Sequence, residues 1–471
     1  MESLYVKNKR IYGDKKMIDH GGDVFEISNK IGISPNNIID FSSNINPYGP
    51  PPKVIEVIKS SLHLIKYYPD KNYSKLRKAI ANYVNLPCDN IIVGCGVTEL
   101  IHSILTRFFK KSVVIPTPTF SEYEVVVKAL GLKAIFIEPI GIKINLEKIL
   151  DIVKNNEISG VILCNPNNPT GEILDYEKII EIIEIAEKKG IFVIVDEAYY
   201  ELSENSKTFA SLTLDFRNLF VLRSLTKAFG FPGLRVGYAL CHSSLAEKFN
   251  QTAISWRIGT LEELAAISAL EDLDFLKYSK KKIFNEKEKL FNNIKSINGL
   301  VPIPSSTNFF MININKSGFS PKNLKWRLLS YAILIRELSS VRGLNEPYIR
   351  IAVRKEEENL VLIKALKNII YSMKKLYPNN PICIEKKCHL KVEDCSFCFC
   401  HFYPCLDNIT GGKFIERENG RLVWSCTDCI WIHRKDVVNL LIKKLVDIDA
   451  KKVDPEEILK KRKEVLEVIP P

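Results

Sequence analysis

An α/β sandwich around a mostly parallel sheet, followed by a smaller α+β unit and a cysteine-rich tail, is the architecture this sequence predicts. Three observations carry it. Short β-branched runs alternate with helical stretches between residues 91 and 222, a strand–helix–strand–helix series spans 306–377, and eight of the 12 cysteines fall between Cys383 and Cys429. Such alternation puts helices on both faces of a parallel sheet. A chain of 471 residues has room for two or three domains. The expected units are 1–375, with a large part at about 50–270 and a small part at about 1–49 and 271–375, and then 381–471.

Taken in order, residues 20–50 read as turn-rich and too polar for a core element, from His20-Gly21-Gly22-Asp23 to Asp40-Phe41-Ser42-Ser43-Asn44-Ile45-Asn46-Pro47-Tyr48-Gly49-Pro50. A helical pattern starts at Pro52 and runs to about Ile65, and a second starts at Ser74. The predicted strands are Ile91–Val93, Val113–Ile115, Ala134–Ile137, Val161–Leu163, Phe192–Val195 and Phe220–Leu222. Val236–Leu240 follows the last of these so closely that it reads as an antiparallel neighbour. From about Leu261 to Ile297 the pattern is helical.

Ligands of such sheets gather beyond the carboxyl ends of the strands. Four loaded segments fall there. Gly94-Cys95-Gly96-Val97-Thr98-Glu99 joins a strand to a helix, where glycines and backbone N–H groups suit a phosphate. Asn165-Pro166-Asn167-Asn168-Pro169-Thr170-Gly171 is a rigid turn, and Asp196-Glu197-Ala198-Tyr199-Tyr200 follows a buried strand. Ser224-Leu225-Thr226-Lys227-Ala228-Phe229-Gly230-Phe231-Pro232-Gly233-Leu234-Arg235 sets one lysine among apolar residues, a setting that lowers its pKa and suits imine chemistry. Each alone also reads as a structural turn or helix cap.

Together and in this order the four segments resemble the fold-type-I pyridoxal-phosphate enzymes of the aminotransferase class, over roughly residues 15–375. The resemblance implies that Lys227 bonds the cofactor, and that Asp196 pairs with its ring nitrogen and makes the ring an electron sink. It implies that Tyr199 and Asn168 hold the phenolate oxygen, that Ser224, Arg235 and the Val97-Thr98 turn form the phosphate cup, and that Phe120 stacks on the ring. Tyr68 matches a tyrosine lent by the neighbouring subunit of a homodimer. Within the class, His20-Gly21-Gly22, the Asp40–Pro47 segment and Ile335-Arg336-Glu337-Leu338 through Arg350 and Arg354 resemble the cobalamin-pathway threonine-phosphate decarboxylases. In that family the arginine matching Arg350 takes the substrate carboxylate as a fork, and Arg336, His20, Gly21 and Asn44 belong to the substrate pocket. Asp23 and Tyr48 depart mildly from residues common in relatives.

That likeness implies decarboxylation of L-threonine O-3-phosphate to (R)-1-aminopropan-2-yl phosphate. Histidinol-phosphate aminotransferase, or a related amino acid aminotransferase, is the alternative, because the cofactor residues are shared and substrate orientation decides the outcome. A regulator that binds nucleic acid is a third reading; no recognition helix supports it.

The tail offers Cys383, Cys388, Cys395, Cys398, Cys400, Cys405, Cys426, Cys429 and His433 as metal ligands. Two Cys-x2-Cys pairs separated by 27 residues point to zinc or an iron–sulfur cluster, and such crowding in a reducing compartment favours metal over disulfides. The tail resembles a small cysteine-rich domain appended to some cobalamin enzymes; its role stays open between a structural appendage, a sensor, a docking module and a second activity. The last helix is expected from Asp454 and Pro455, with Lys460-Lys461-Arg462-Lys463 as a solvated face. A net charge of +12 spread along the chain suits small anionic substrates. With 46% hydrophobic and 26% charged residues, no membrane-length apolar run and no apolar leader, a cytoplasmic enzyme is expected.

Overall fold

The apolar runs pair as their alternation predicts. The computed structural model describes residues 21–375, 406, 409–416, 422–425, 429, 431–445 and 455–471. Its first strand, β1 (Ile39–Asp40), lies apart from the main sheet. The next seven are β2 (Ile91–Gly94), β3 (Ser112–Pro116), β4 (Lys133–Ile137), β5 (Gly160–Cys164), β6 (Phe192–Asp196), β7 (Leu219–Ser224) and β8 (Gly237–Cys241). They form one sheet in the order β2-β8-β7-β6-β5-β3-β4. The strands are parallel except β8, which runs antiparallel to both β2 and β7. β5 and β7 are buried along their whole length, as expected for strands covered on both faces. Apolar cores lie on each side of the sheet, one including Ile182 and Val221 and the other Ile101 and Phe220.

The smaller unit holds β9 (Val301–Pro302), β10 (Phe309–Asn313), β11 (Ile333–Leu334), β12 (Arg336–Glu337) and β13 (Tyr348–Ala352). β12-β13-β10-β9 make an antiparallel sheet, while β11 pairs in parallel with β1. Helices Leu273–Lys295, Pro321–Leu329 and Glu356–Lys375 pack on it. The helical stretch expected from 261 to 297 is broken after Leu270 into two helices, and Asp272 caps the second through the N–H of Phe275.

Two expectations need correction. Residues 20–50 contain a helix, Val24–Ile31, as well as β1. Ile27 and Ile31 stand one turn apart on its buried face, and Gly32 closes it in the left-handed conformation at φ 71°. Phe41 is fully buried in the small unit's core. In the tail, β14 (Lys413–Glu416) pairs with β15 (Leu422–Ser425), and helices Lys435–Leu445 and Pro455–Val468 follow. Arg462 does not sit on a solvated face: it is 2% exposed, donates to Thr410 Oγ1 at 2.8 Å and lies over the Trp431 ring. Its long stem can be buried because the guanidinium finds partners inside. No helix among the described residues is long and apolar enough to cross a membrane.

At the ends of β6 and β7, neighbouring residues point to opposite faces. Asp196 and Ser224 take one face; Glu197 and Arg223 take the other. The Arg223 guanidinium donates to Glu197 at 2.7 Å and Glu201 at 2.5 Å, both buried, and to Thr208 at 2.8 Å. Replacing Arg223 with Ala strands two buried carboxylates, so urea unfolding is expected to show a loss of about 3–5 kcal/mol. A loss below about 1 kcal/mol would show that water takes over the arginine's role.

Candidate active site

The strand ends converge on a cavity of about 350 Å³ lined by Gly21, Ser42–Asn44, Thr98, Thr119–Glu122, Asn168, Pro169, Tyr199, Lys227, Arg235, Arg336, Leu338, Val341 and Arg350. Four cationic residues, Lys227, Arg235, Arg336 and Arg350, face one carboxylate, Glu122. Such a cavity selects anions.

Lys227 lies in a short helical turn, Leu225–Ala228, directly after β7. Its side chain keeps some surface toward the cavity. Burial, then the charges of Arg350 and Arg235, bring its amine down to about 8. The turn is clasped from the small unit: Asn46 N–H donates to Lys227 O at 3.0 Å, and Asn46 Nδ2 donates to Ala228 O at 2.9 Å. There is no room for side chains at this crossing. A Cβ on Gly49 would meet Phe229 O at 2.1 Å, and one on Gly230, at φ 70°, would meet Asn46 O at 2.7 Å.

Asp196, at the end of β6, is buried, with both oxygens engaged. Tyr123 donates to Oδ2 at 2.6 Å and Ala198 N–H to Oδ1 at 2.9 Å. Burial raises the carboxyl to about 6, against the pull of those two bonds. It is ionised at neutral pH, which suits a partner carrying a proton or positive charge.

Gly96 opens the helix Gly96–Phe108, and Glu99 accepts from Cys95 N–H at 3.0 Å. Glycine is required where this turn meets its neighbours: a Cβ on Gly96 would come within 2.7 Å of Arg235 Nη2, and one on Gly237 within 3.0 Å of the Gly96 and Val97 backbone. A helix N-terminus with a guanidinium beside it fits a phosphate. Thr98 and Arg235 line the cavity, whereas Val97 is buried in an apolar core and Ser224 is buried with its Oγ 2.8 Å from Thr226 Oγ1.

Tyr199 stands edge-on to Phe309 and accepts from Asn44 Nδ2 at 3.3 Å. Asn168 Oδ1 accepts from Arg350 Nη1 at 2.5 Å, and Ser42 O accepts from Arg350 Nη2 at 2.6 Å. Arg350 Nε is buried without a protein acceptor. Arg336 lies directly across the β12–β13 ladder from Arg350, and both are buried. Burial and the neighbouring Arg336 bring Arg350 down to about 10, although Tyr199 and Asp40 pull it upward. Gly21 passes so close that a Cβ would meet Ser42 O at 2.3 Å.

His20, Cys383, Cys388, Cys395, Cys398, Cys400, Cys405 and Cys426 lie outside the described residues, as does the His433 side chain. Cys429 is buried. Among the described residues no group of three or more His, Cys, Asp or Glu is placed to hold a metal. Tyr68 is not in the cavity: it is 80% exposed and packs on Trp256 at 4.7 Å.

Sequence reading missed Tyr123, Thr119 and the apolar wall of Leu338 and Val341. The signal for Tyr123 was its place in the Phe120 segment, one helical turn inside a strand-end loop. The wall had no local signal.

In the ligand-free chain, Lys227→Met removes a buried ammonium. Below about pH 8 the native state carries that charge at a cost; between pH 8 and the usual 10.5 it sheds the proton before the unfolded chain does, so wild-type stability rises there. The variant is expected to be more stable by about 1–3 kcal/mol at pH 7, with the gap closing toward pH 10. A pH-independent difference in thermal melts would contradict the depressed amine.

Residues 36–366 match the family described as aminotransferase class I and II, and residues 378–454 match one described as a cysteine-rich small domain. The chain is 36% identical to a Caldanaerobacter subterraneus protein named "Putative threonine-phosphate decarboxylase", covering 76% of this chain and 95% of that one. It is also 36% identical to histidinol-phosphate aminotransferase 2 of Archaeoglobus fulgidus, covering 70% and 93%. The solved histidinol-phosphate aminotransferase of Clostridium acetobutylicum superposes with a TM-score of 0.66 at 30% identity, covering 70% of this chain and 99% of that one. With its lysine, aspartate and glycine turn set at the ends of a sheet of this order, the chain belongs to the class I and II aminotransferase family, the pyridoxal-phosphate-dependent enzymes of fold type I.

Proposed function

We propose that this chain removes carbon dioxide from L-threonine O-3-phosphate, giving (R)-1-aminopropan-2-yl phosphate, with pyridoxal phosphate bonded to Lys227. The observation that carries the reading is the Arg336–Arg350 pair. Like charges directly opposite on a ladder repel, and here they are buried together beside the cavity. A substrate carrying a carboxylate and a phosphate relieves that repulsion and gives Arg350 Nε an acceptor. The likeness to the Caldanaerobacter relative supports the same choice.

The cavity fits the cofactor by its donors. The Gly96–Thr98 turn and Arg235 would hold its phosphate, Asp196 its ring nitrogen, Tyr199 and Asn168 its phenolate oxygen, and Phe120 its ring face. When bound, pyridoxal phosphate supplies a sink for the electron pair left at Cα when the bond to the carboxylate breaks and carbon dioxide leaves. Asp196, ionised above about pH 6, holds the proton on the ring nitrogen. Lys227, freed when the substrate amine takes its place on the cofactor, would return a proton to Cα, so the product is an amine. Arg350 and Arg336 fix the substrate's two anionic ends, and Leu338 and Val341 bound the remaining wall.

Histidinol-phosphate transamination is the second reading, favoured by the identity to the Archaeoglobus relative. One assay separates the two: O-phospho-L-threonine alone against histidinol phosphate with 2-oxoglutarate, following carbon dioxide and glutamate. Carbon dioxide release from the first is expected, lowered about 10²–10⁴-fold in Lys227→Ala. Arg350→Ala is expected to raise KM about 10–100-fold. Glutamate formation without carbon dioxide would replace the decarboxylase reading by the aminotransferase one.

Tyr68, Ile65, Tyr67, Ile254 and Trp256 form an exposed apolar face. That face suits a homodimer in which Tyr68 reaches the partner's phosphate. We also infer that the Cys-x2-Cys pairs of the tail bind zinc or an iron–sulfur cluster. Sedimentation at twice 53.8 kDa and metal analysis of the purified chain check both. A monomer would refute the first inference, and a metal-free folded tail the second.

A further inference from the structure

The described part of the tail shares one apolar core with the segments that lead into the substrate wall. Ile31 of the helix Val24–Ile31, with Leu329 and Leu334, is buried in the same cluster as Trp431, Val438 and Val465. Trp424 N–H donates to Ser330 O at 2.8 Å, and helix Pro455–Val468 packs on helix Pro321–Leu329.

Both segments continue directly into the cavity. Gly21 precedes the first helix, and that helix leads through β1 to Ser42–Asn44. Ser330 leads through β11 to Arg336. Among the described residues β1 and β11 pair only with each other, Ile39 with Ile333 and Asp40 with Leu334. A two-residue parallel pair has little stability of its own and must be held by what packs behind it.

From β1 a continuous set of bonds reaches Arg350. Asp40 accepts from Ser42 N–H at 2.8 Å, Ser42 Oγ at 2.6 Å and Ser43 Oγ at 2.5 Å. Ser42 Oγ accepts from Gly22 N–H at 2.8 Å, and Ser42 O holds Arg350. The wall that must keep two like charges together is thus backed by the tail.

We infer that the C-terminal module is a positioning element for the substrate-binding wall, acting through Val438, Val465 and Trp424 on β1, β11 and the Asp40–Ser42 turn. Substrate affinity then depends on the module, while the Lys227 loop does not. The affinity part rests on the phosphorylated amino acid proposed above; the structural part does not.

The test uses the full chain with its cofactor, comparing Val438→Ala and Val465→Ala with Val153→Ala, the same truncation in the core of the large sheet. Hydrogen exchange is expected to rise about tenfold or more in amides of 24–44 and 330–337 in the two tail variants, with 219–240 unchanged. O-phospho-L-threonine binding, read from the cofactor absorbance, is expected to weaken about tenfold with kcat nearly unchanged. The control is expected to leave 24–44 and 330–337 as in wild type. Unchanged exchange in those segments, or an equal rise in 219–240, overturns the inference. If exchange rises as expected and no protein binds O-phospho-L-threonine, the positioning role stands and the substrate assignment falls.

Discussion

The crossing of two loops, Asn46–Gly49 from the small unit and Lys227–Gly230 from the large one, holds the molecule's chemistry in place. Backbone meets backbone there, with Asn46 bonded to Lys227 O and Ala228 O, and neither glycine position can admit a side chain. Because the contact is made by main-chain atoms, it leaves little room for adjustment. The lysine cannot shift along its loop without breaking the clasp, and the small unit cannot turn without moving the lysine. The cavity wall carries Asn44 two residues before Asn46, so the same clasp sets the distance between that wall and the amine.

Around that fixed point the cavity is organised by unfavourable electrostatics. An ammonium depressed by burial, a carboxyl raised by it, and two arginines facing each other on one ladder all cost folding energy. Asp196 and Arg350 are held by protein partners, but among the described residues Arg350 Nε is left without a protein acceptor. The opposite faces of the same strand ends bury the ion-paired Arg223–Glu197–Glu201 cluster instead. On that face the arginine is hydrogen-bonded to both carboxylates. On the other face Lys227, Arg235, Arg336 and Arg350 line a cavity.

The cysteine-rich appendage adds to this picture by where it packs. Its apolar residues lie behind the Val24–Ile31 helix and the Ser330 turn, far along the chain from either. The small unit alone would expose Ile27, Ile31 and Leu334 at that place. Their burial makes the tail part of the small unit's architecture, whatever further chemistry its cysteines perform.

How far the sequence could be read follows from which forces act locally. Strand runs, the β8 reversal and the turns carrying Asn168, Asp196 and Lys227 were legible because burial pattern, glycine and proline act over a few residues. The resemblance of four segments in order did the rest for the site. The helix Val24–Ile31 was obscured by polar neighbours, since its apolar stripe is short and meets a partner some 300 to 440 residues away in the chain. Arg462 looked solvated because nothing beside it in sequence announces Thr410 or Trp431. Tyr123 on Asp196 and Arg336 opposite Arg350 are cross-chain meetings set by strand order and register. By itself the sequence determined the sheet, the strand-end turns and the lysine's setting, because those rest on local spacing. Only the tertiary structure decided which charges face one another and what stands behind the substrate wall, because those depend on packing between segments distant in the chain.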